Sequence, residues 1–407
     1  MPRWAGEMRR VAVTGVGVVS SIGTGAVAFE EALRAGRSGA RPITAFDTEG
    51  FAHSLGCEVT DFDPARWVRT LPPWEVGRAT QFAIASARLA LADAGMDERD
   101  LVDSHGMVSI GTTDGGADGG EAVAATAVRF GFDEVDPAAV RRIPASRIAV
   151  GVARELGLSD VDVTTLATAC ASGNYAIGNG FDAVRSGEAD FALCGGADAM
   201  CRMTFTGFYR LKAIDPERCR PFDAQRKGIL TGEGAAVLLL EPWEAAVARG
   251  ARIYAEVLGY GLNCDAHHQV APERGGVARC MSLALRDAGV TPGDVDLISA
   301  HGTGTRLNDV TECGAVFDVF GPRPPRMVSV KSMLGHTMGA ASALASAACV
   351  LGIAGGFIPP TINHEKTDPD CGIDCVPNTA VDADLRVVQN NALAFGGNNA
   401  VVVFGRR

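Results

Sequence analysis

The sequence predicts an α/β fold made of two related halves, and three observations support this prediction. Short β-branched or apolar runs alternate with alanine-rich segments of helical periodicity along the 407 residues. The chain is 47% hydrophobic and 21% charged, which is typical of a globular protein with a large core. A segment of the first half is also similar in sequence to a segment of the second half.

The alternation of the two patterns gives the expected elements. Short runs of valine, isoleucine and leucine have the pattern of buried strands, and longer alanine-rich segments have the pattern of helices. The strand-like runs are 11–14, 107–110, 191–194, 237–240 and 400–403, and the helical segments are 81–94, 178–186 and 277–288.

The internal similarity indicates a repeated α/β unit. Residues 87–113 and 280–305 each run from a helix through Asp-Ala-Gly and an acidic connector into a strand followed by Gly-Thr. A weaker similarity relates the segments around Cys170 and His336. Two copies of one unit explain both observations, and they place Cys170 and His336 in equivalent turns. Pairing of the two units would bring both helix N-termini to one central site.

The composition argues against several classes of function. A net charge of −11 is unusual for a nucleic-acid-binding protein. Eleven cysteines without a Cys-x-x-Cys pair predict reduced, mostly buried thiols rather than a disulfide framework or metal site. No apolar stretch approaches the roughly 20 residues that span a bilayer, and residues 1–17 contain no signal-peptide core. We therefore expect a cytoplasmic protein with no membrane or nucleic-acid partner.

The sequence lacks the residues that a dinucleotide-binding loop or a zinc site would need. Ser20 stands where a Gly-x-Gly-x-x-Gly dinucleotide loop needs its third glycine, and no acidic ribose partner follows. His267 and His268 are adjacent and have no third ligand at a suitable spacing, so zinc binding is not expected.

Cys170 stands where a β-branched run meets a helical pattern of small residues. A thiol at a helix N-terminus lies at the positive end of the helix dipole, which favours the thiolate and predicts a lowered pKa. The alternative is a buried structural cysteine, which is the commoner reading of this motif taken alone.

Two other strand ends carry histidine. His301 opens a Gly-Thr-Gly-Thr loop, which suits a general base or hydrogen-bond donor, and Asp309 and Glu312 are candidates to anchor that loop. Lys331 and His336 stand five residues apart in a second strand-to-helix turn. Because the chain has four lysines and seven histidines, this pair in an apolar context indicates a site rather than compositional chance.

Phe395-Gly396-Gly397 precedes the last strand. Consecutive glycines expose backbone N–H groups and permit unusual dihedral angles, which suits an oxyanion hole or a hinged gate, although such a loop alone is usually a turn. Cysteine, histidine and lysine at the ends of repeated units together indicate covalent acyl catalysis.

This combination of motifs resembles the β-ketoacyl synthases, the condensing enzymes of fatty acid and polyketide assembly. The resemblance covers nearly the whole chain and includes VAVTGVG at 11–17, RPFDAQR at 220–226 and PPTIN at 359–363. It implies a thiolase-like α/β fold with two pseudo-repeated αβαβα halves in five layers. Residues 1–250 would form the half with the cysteine, and residues 251–407 the half with the histidines and the lysine.

The resemblance implies a decarboxylative Claisen condensation. Cys170 would accept an acyl chain from the phosphopantetheine of an acyl carrier protein, and malonyl-carrier protein would then lose CO2 to form an enolate that attacks the thioester. His301 and His336 would assist the enolate, and Lys331 would hold them electrostatically through the loop of Glu312. No metal and no separate cofactor is implied.

The resemblance also assigns secondary roles. Backbone N–H groups of Cys170 and Phe395 would form the oxyanion hole. The further assignments are Phe395, Gly396 and Gly397 to the gate, Thr303 and Thr305 to the pantetheine, and Arg66, Arg69, Arg78, Arg141, Arg142 and Arg220 to carrier docking. The partner subunit would be a second copy or a ketosynthase-like chain-length partner.

Departures from the family pattern bear on the substrate. Leu393 stands where many members have an aromatic residue, and Asn398 stands near the usual position of a threonine. Asp114 and Asp118 lie in a small acidic segment that is more apolar in fatty acid members; as pocket residues they would favour a polar or unsaturated chain. These features favour a type II polyketide pathway. The alternatives are housekeeping fatty acid elongation, a non-condensing acyltransferase, or a chain-length partner subunit of the same fold.

Overall fold

The computed structural model describes residues 8–406. The strands are β1 Val11–Ser20, β2 Gly23–Thr24, β3 Arg41–Pro42, β4 Leu55–Cys57, β5 Gly106–Gly111, β6 Val161–Leu166, β7 Phe191–Asp198, β8 Thr231–Gly232, β9 Gly234–Pro242, β10 Ala255–Cys264, β11 Leu297–Ser299, β12 Arg326–Val328, β13 Phe357–Ile358, β14 Val381–Asp382, β15 Val387–Leu393 and β16 Asn398–Gly405. The α-helices are α1 Ala26–Arg34, α2 Arg78–Asp93, α3 Ala117–Phe130, α4 Pro137–Arg141, α5 Arg147–Glu155, α6 Ser172–Ser186, α7 Arg202–Arg210, α8 Trp243–Ala248, α9 Arg274–Asp287, α10 Arg306–Phe320, α11 Lys331–Leu334 and α12 Ala341–Gly355.

The predicted elements are confirmed. Each of the five strand-like runs lies within a strand, namely β1, β5, β7, β9 and β16. The three helical segments correspond to α2, α6 and α9, with ends that differ by a few residues. Residues 1–7, the first part of the segment 1–17 that was predicted to contain no signal-peptide core, lie outside the described residues.

The strands show the two-half repeat directly. Ten of them follow the order β12-β11-β15-β16-β10-β1-β9-β7-β5-β6. Each half contributes five of these strands, β6-β5-β7-β9-β1 in the first half and β12-β11-β15-β16-β10 in the second. When the five strands of each half are numbered along the chain, both sets have the order third, second, fourth, fifth, first. The parallel and antiparallel pairings also match between the halves. The halves meet where β1 pairs with β10 over three residues.

Helices complete the five layers. α2 packs on β1, β7 and β9 at one outer face, and α9 packs on β10 and β16 at the other, with α10 beside it. Between the five-strand sets of the two halves, α6 contacts β5, β7 and β16, while α12 contacts β9 and β15. Three apolar clusters fill the spaces between the layers, one beneath each outer helical layer and one around the central helices α6 and α12. The predicted five-layer α/β fold is confirmed.

The two central helices start in matching turns. Ala169 before α6 and Met338 before α12 both have a φ of 50°. Each opens a short 3-10 turn that leads into a helix of 15 residues. This register makes Gly339 the counterpart of Cys170. His336 lies in the equivalent turn, as predicted, but three residues before that counterpart.

One central helix corrects an expectation about hydropathy. Among the described residues, the stretch Met338–Gly355 is long and apolar enough to cross a membrane by length and composition. The expectation that no stretch approaches this size is therefore wrong. Since 89% of the stretch is buried inside the protein, its apolar composition is accounted for by its position between the sheets.

Candidate active site

Cys170 lies in the tight turn between β6 and α6. The positive φ of Ala169 re-aims the chain so that the thiol sits at the start of the helix, with only 5% of the residue exposed. Burial raises the pKa of the Cys170 thiol to about 12, although nearby Lys331 acts in the opposite direction. The lowered pKa predicted from the helix N-terminus is therefore wrong, because loss of solvation is the largest effect on the thiol and outweighs the opposing Lys331 charge.

The His301 loop is held by two buried carboxylates. Glu312 accepts hydrogen bonds from the backbone N–H groups of His301 and Gly302 at 2.8 and 2.9 Å. Asp309 accepts from the backbone N–H of Thr303 at 3.1 Å. Because backbone donors satisfy these carboxylates, the loop has one defined conformation.

Lys331 and the two imidazoles form a buried group. The Lys331 ammonium donates to the carbonyl oxygen of His301 at 2.6 Å and lies 3.4 Å from its Nδ1. His336 Nδ1 accepts from the backbone N–H of Met338 at 3.1 Å. These partners assign the ring proton of both neutral imidazoles to Nε2. The two rings are 5.5 Å apart and nearly perpendicular.

Burial controls the charge of this group. It lowers the pKa of His301 and of His336 well below the usual range, and the Lys331 charge lowers both further. Burial also lowers the pKa of Lys331, whereas Cys170 and Glu312 act to raise it. The site therefore presents two neutral imidazoles, which serve as N–H donors rather than as cations.

Cys170, His301 and His336 line one cavity of about 370 Å³. Thr303, Thr305, Leu393 and Phe395 also line it, as do residues that sequence reasoning did not assign, including Phe208, Lys212, Arg226, Lys227, Ile229, Val270, Pro272, Arg306, Leu307 and Asn308. The hydroxyls of Thr303 and Thr305 are 2.8 Å apart on the same wall.

Phe395 forms an aromatic contact beside the cavity. Phe395 is 37% exposed, and its ring lies 5.4 Å from the Phe208 ring. The Phe208 ring lies 6.2 Å from the His336 ring. Gly396 and Gly397 have φ values of 82° and 80°, which only glycine adopts readily. Gly396 donates its N–H to the carbonyl of Gln269, so the loop is tied to the segment after β10.

Asp114 and Asp118 lie outside the residues that line this cavity. Asp114 lies near Cys201 at the start of α7, with its carboxylate 3.9 Å from the Cys201 thiol. Burial raises the pKa of Asp114 and of Asp118. Neither carboxylate therefore lies in the wall of this cavity.

The six arginines expected to dock a carrier also lie away from the cavity walls. Arg78 is paired with buried Glu233, and Arg220 is buried beside Asp215. Arg220 is thus buried, whereas Arg78, with 31% of its side chain exposed, forms an ion pair with an internal carboxylate. The remaining four are Arg66, Arg69, Arg141 and Arg142, of which Arg142 is half-buried.

Three other cations stand at the mouth of the cavity. Lys212, Lys227 and Arg306 are exposed and line its outer part. The scarcity of lysine was a usable signal, because three of the four lysines, Lys212, Lys227 and Lys331, lie at this site. Phe208 gave no comparable signal, since an aromatic residue on a short helix is usually part of the core.

Comparisons with known proteins identify the family of the chain. The chain matches the model of the β-ketoacyl synthase N-terminal domain at residues 8–246 and that of the C-terminal domain at residues 254–365. It is 38% identical to nodulation protein E of Rhizobium sp. (strain N33), covering 97% of this chain and 99% of the relative. It is 36% identical to 3-oxoacyl-[acyl-carrier-protein] synthase 2 of Synechocystis sp., covering 98% of each.

Solved structures extend the comparison. The ishigamide ketosynthase/chain length factor superposes with a TM-score of 0.97 and 57% identity, covering 98% of this chain and 100% of the other. A ketosynthase in complex with its type II polyketide acyl-carrier protein superposes with a TM-score of 0.89 and 31% identity, at the same coverage. The chain belongs to the β-ketoacyl synthase family.

Proposed function

We propose that this chain catalyses the decarboxylative condensation of malonyl-carrier protein with an acyl chain held as a thioester on Cys170, giving a β-ketoacyl-carrier protein. The observation that carries the proposal is that Cys170 and two neutral imidazoles line one cavity, with Lys331 hydrogen-bonded behind His301. A nucleophile and two N–H donors at one cavity suit acyl transfer followed by enolate chemistry.

The first half-reaction loads the acyl chain. The Cys170 sulfur attacks the acyl-carrier thioester, the carbon–sulfur bond to the carrier breaks, and the Cys170 proton passes to the departing thiolate. Because the pKa of the Cys170 thiol is raised, this proton leaves during acyl transfer rather than before it. The nearby Lys331 charge favours the thiolate that develops.

The second half-reaction forms the carbon–carbon bond. The malonyl group loses CO2, and the Nε2–H groups of His301 and His336 donate to the enolate oxygen. The enolate carbon attacks the Cys170 thioester, the carbon–sulfur bond breaks, and one proton is taken up to restore the thiol. Backbone N–H groups of Cys170 and Phe395 stabilise the oxyanion, at about 3 kcal/mol for a donor of this kind.

The gate and the pantetheine contacts belong to the same proposal. Phe395 is the gate, with Gly396 and Gly397 as its hinge, because their positive φ values allow a conformation that other residues resist. Thr303 and Thr305 contact the pantetheine, since their hydroxyls line the cavity. Leu393, buried in the same wall, leaves room that an aromatic side chain would fill.

The pathway is a type II polyketide pathway of the cytoplasm. Identity to the ishigamide ketosynthase/chain length factor is 57%, whereas identity to the 3-oxoacyl-[acyl-carrier-protein] synthases 2 of Synechocystis sp. and Staphylococcus aureus is 36–37%, and this difference favours polyketide over housekeeping assembly. The partners are an acyl carrier protein and a ketosynthase-like subunit. Substrates arrive on the carrier's phosphopantetheine, and Lys212, Lys227 and Arg306 attract the acidic carrier to the mouth.

Intact mass spectrometry tests the proposal. The protein is incubated with a panel of acyl-carrier proteins and then with malonyl-carrier protein. We expect an acyl adduct on Cys170, followed by its loss together with release of CO2 and a β-ketoacyl-carrier product. An adduct that never condenses would instead identify an acyltransferase. Failure of every carrier to load would identify a chain-length partner.

A further inference from the structure

The carboxylates of the segment 111–121 lie outside the cavity walls and make their contacts elsewhere. Glu121 on α3 reaches the start of α7. Its carboxylate accepts hydrogen bonds from the backbone N–H groups of Arg202, at 3.2 Å, and of Met203. One carboxylate therefore takes two of the N–H groups that a helix start leaves without a partner in the helix itself.

This contact substitutes for a normal helix cap. Cys201 occupies the cap position of α7 and makes no side-chain cap hydrogen bond. The negative charge of Glu121 at the positive end of the helix dipole adds to the two hydrogen bonds. The start of α7 is thus fixed by a residue about 80 positions earlier in the chain.

α7 carries the aromatic wall of the active site. Phe208 lies on its last turn, with its ring 5.4 Å from Phe395 and 6.2 Å from His336. Phe205, one turn earlier, is fully buried and contacts the rings of Phe46 and Phe51. α7 is nine residues long, so Phe208 lies less than two turns from the end that Glu121 holds.

We propose that Glu121 is a positioning residue, which holds α7 so that Phe208 packs against the Phe395 gate and beside His336. The inference rests on the proposed condensation for its kinetic consequences. It assigns Glu121 a role in holding the wall of the site rather than in contacting the acyl chain.

The variants are Glu121→Ala, which removes both hydrogen bonds, and Glu121→Gln, which keeps one acceptor oxygen and removes the charge. Glu188→Gln is the matched control, because Glu188 is an exposed glutamate in the turn after α6. Phe208→Leu and the double variant Glu121→Ala/Phe208→Leu complete a mutant cycle.

We expect Glu121→Ala to lower kcat/KM for condensation by about 10-fold and Glu121→Gln by about 3-fold, because Phe208 loses its fixed position beside Phe395 and His336. In the Phe208→Leu background, Glu121→Ala should change kcat/KM by less than about 2-fold, because the wall it positions is gone. A merely structural role would lower the melting temperature and leave this non-additivity absent. An equal effect of Glu121→Ala in both backgrounds, or a normal kcat/KM with a lower melting temperature, would overturn the inference.

Amide hydrogen exchange separates this inference from the proposed function. Glu121→Ala should accelerate exchange in residues 202–210 and leave α6 unchanged, and this readout needs no turnover. Absence of condensation by the wild-type protein would count against the proposed function. Unchanged exchange in 202–210 would count against the role of Glu121.

Discussion

The turn that starts α6 and the turn that starts α12 have the same backbone and different chemistry. Both pass through a residue with a φ of 50°, enter a 3-10 turn and continue into a 15-residue helix that ends at a left-handed glycine. At the equivalent position, one turn has Cys170 and the other has Gly339. The Gly339 N–H donates to buried Asp198 at 2.5 Å.

The connections before these turns also differ. Two residues, 167–168, separate β6 from its turn, whereas residues 329–337 separate β12 from the equivalent point and include Lys331 and His336. A repeated unit has thus diverged into one half that presents a thiol and one that presents N–H donors and a cation. Repetition supplies the geometry, and the asymmetric residues supply the chemistry.

The strongest test of the comparison removes the group that only the first turn has. Cys170→Ala should reduce acyl loading by at least about 10³-fold, because no other residue at the site replaces a nucleophile. Intact mass spectrometry after incubation with acyl-carrier protein measures the adduct. Cys264→Ala, at an exposed cysteine, serves as the control and should load normally. A stable acyl adduct on the Cys170→Ala protein would refute the nucleophile assignment.

The second test removes the group that only the second turn has. His336→Ala should leave loading of Cys170 nearly intact and reduce condensation by about 10²–10³-fold, because the enolate loses a preorganised donor. Loading by mass spectrometry and product by chromatography separate the two steps. Condensation at the wild-type rate would contradict this role of His336.

A third test asks whether the two turns are interchangeable at their equivalent position. A Cβ on Gly339 would lie 2.5 Å from backbone atoms of Thr112, so Gly339→Ala should destabilise the protein by about 1–3 kcal/mol. Urea unfolding measures the change. Gly207→Ala is the matched control, because nothing lies within 4 Å of the added atom. Equal stabilities of the two variants would show that the second turn tolerates a side chain.

A fourth test concerns the opposed effects of burial and of the helix dipole on Cys170. Since burial raises the pKa of the thiol to about 12, the reactive thiolate should increase by about 10-fold for each pH unit between 6.5 and 9. Iodoacetamide alkylation of the free enzyme, followed by peptide mass spectrometry, gives the rate. A plateau at or below pH 8 would show that the dipole and Lys331 outweigh burial.

The smallest effects are expected at the mouth, to which both halves contribute. Charge reversal at Lys227 in the first half or at Arg306 in the second should each raise KM for the acyl-carrier substrate by about 3- to 10-fold and leave kcat nearly unchanged. Arg66→Glu, away from the cavity, is the comparison. A larger rise in KM for Arg66→Glu than for Lys227→Glu would place the docking surface elsewhere.

Much of the fold followed from local sequence. Strands such as β9 and β16 are continuous apolar runs, and helices such as α2 and α9 have helical periodicity, so their type is encoded by nearby residues. The repeat was visible because both copies keep the same turn glycines. Local sequence could not predict which arginines are free to dock a carrier, since exposure and ion pairing depend on distant residues such as Glu233, the partner of Arg78.

Local sequence encodes the α/β class, the two-half repeat and the segments that hold Cys170, His301, Lys331 and His336, because strand ends and tight turns are set by residues close together in the chain. The remaining features depend on long-range packing. The pKa of Cys170, the approach of Phe208 to Phe395 and the lysines at the mouth each result from contacts between distant segments. Such contacts depend on how the two halves pack, and burial there can reverse an effect predicted from a single helix end.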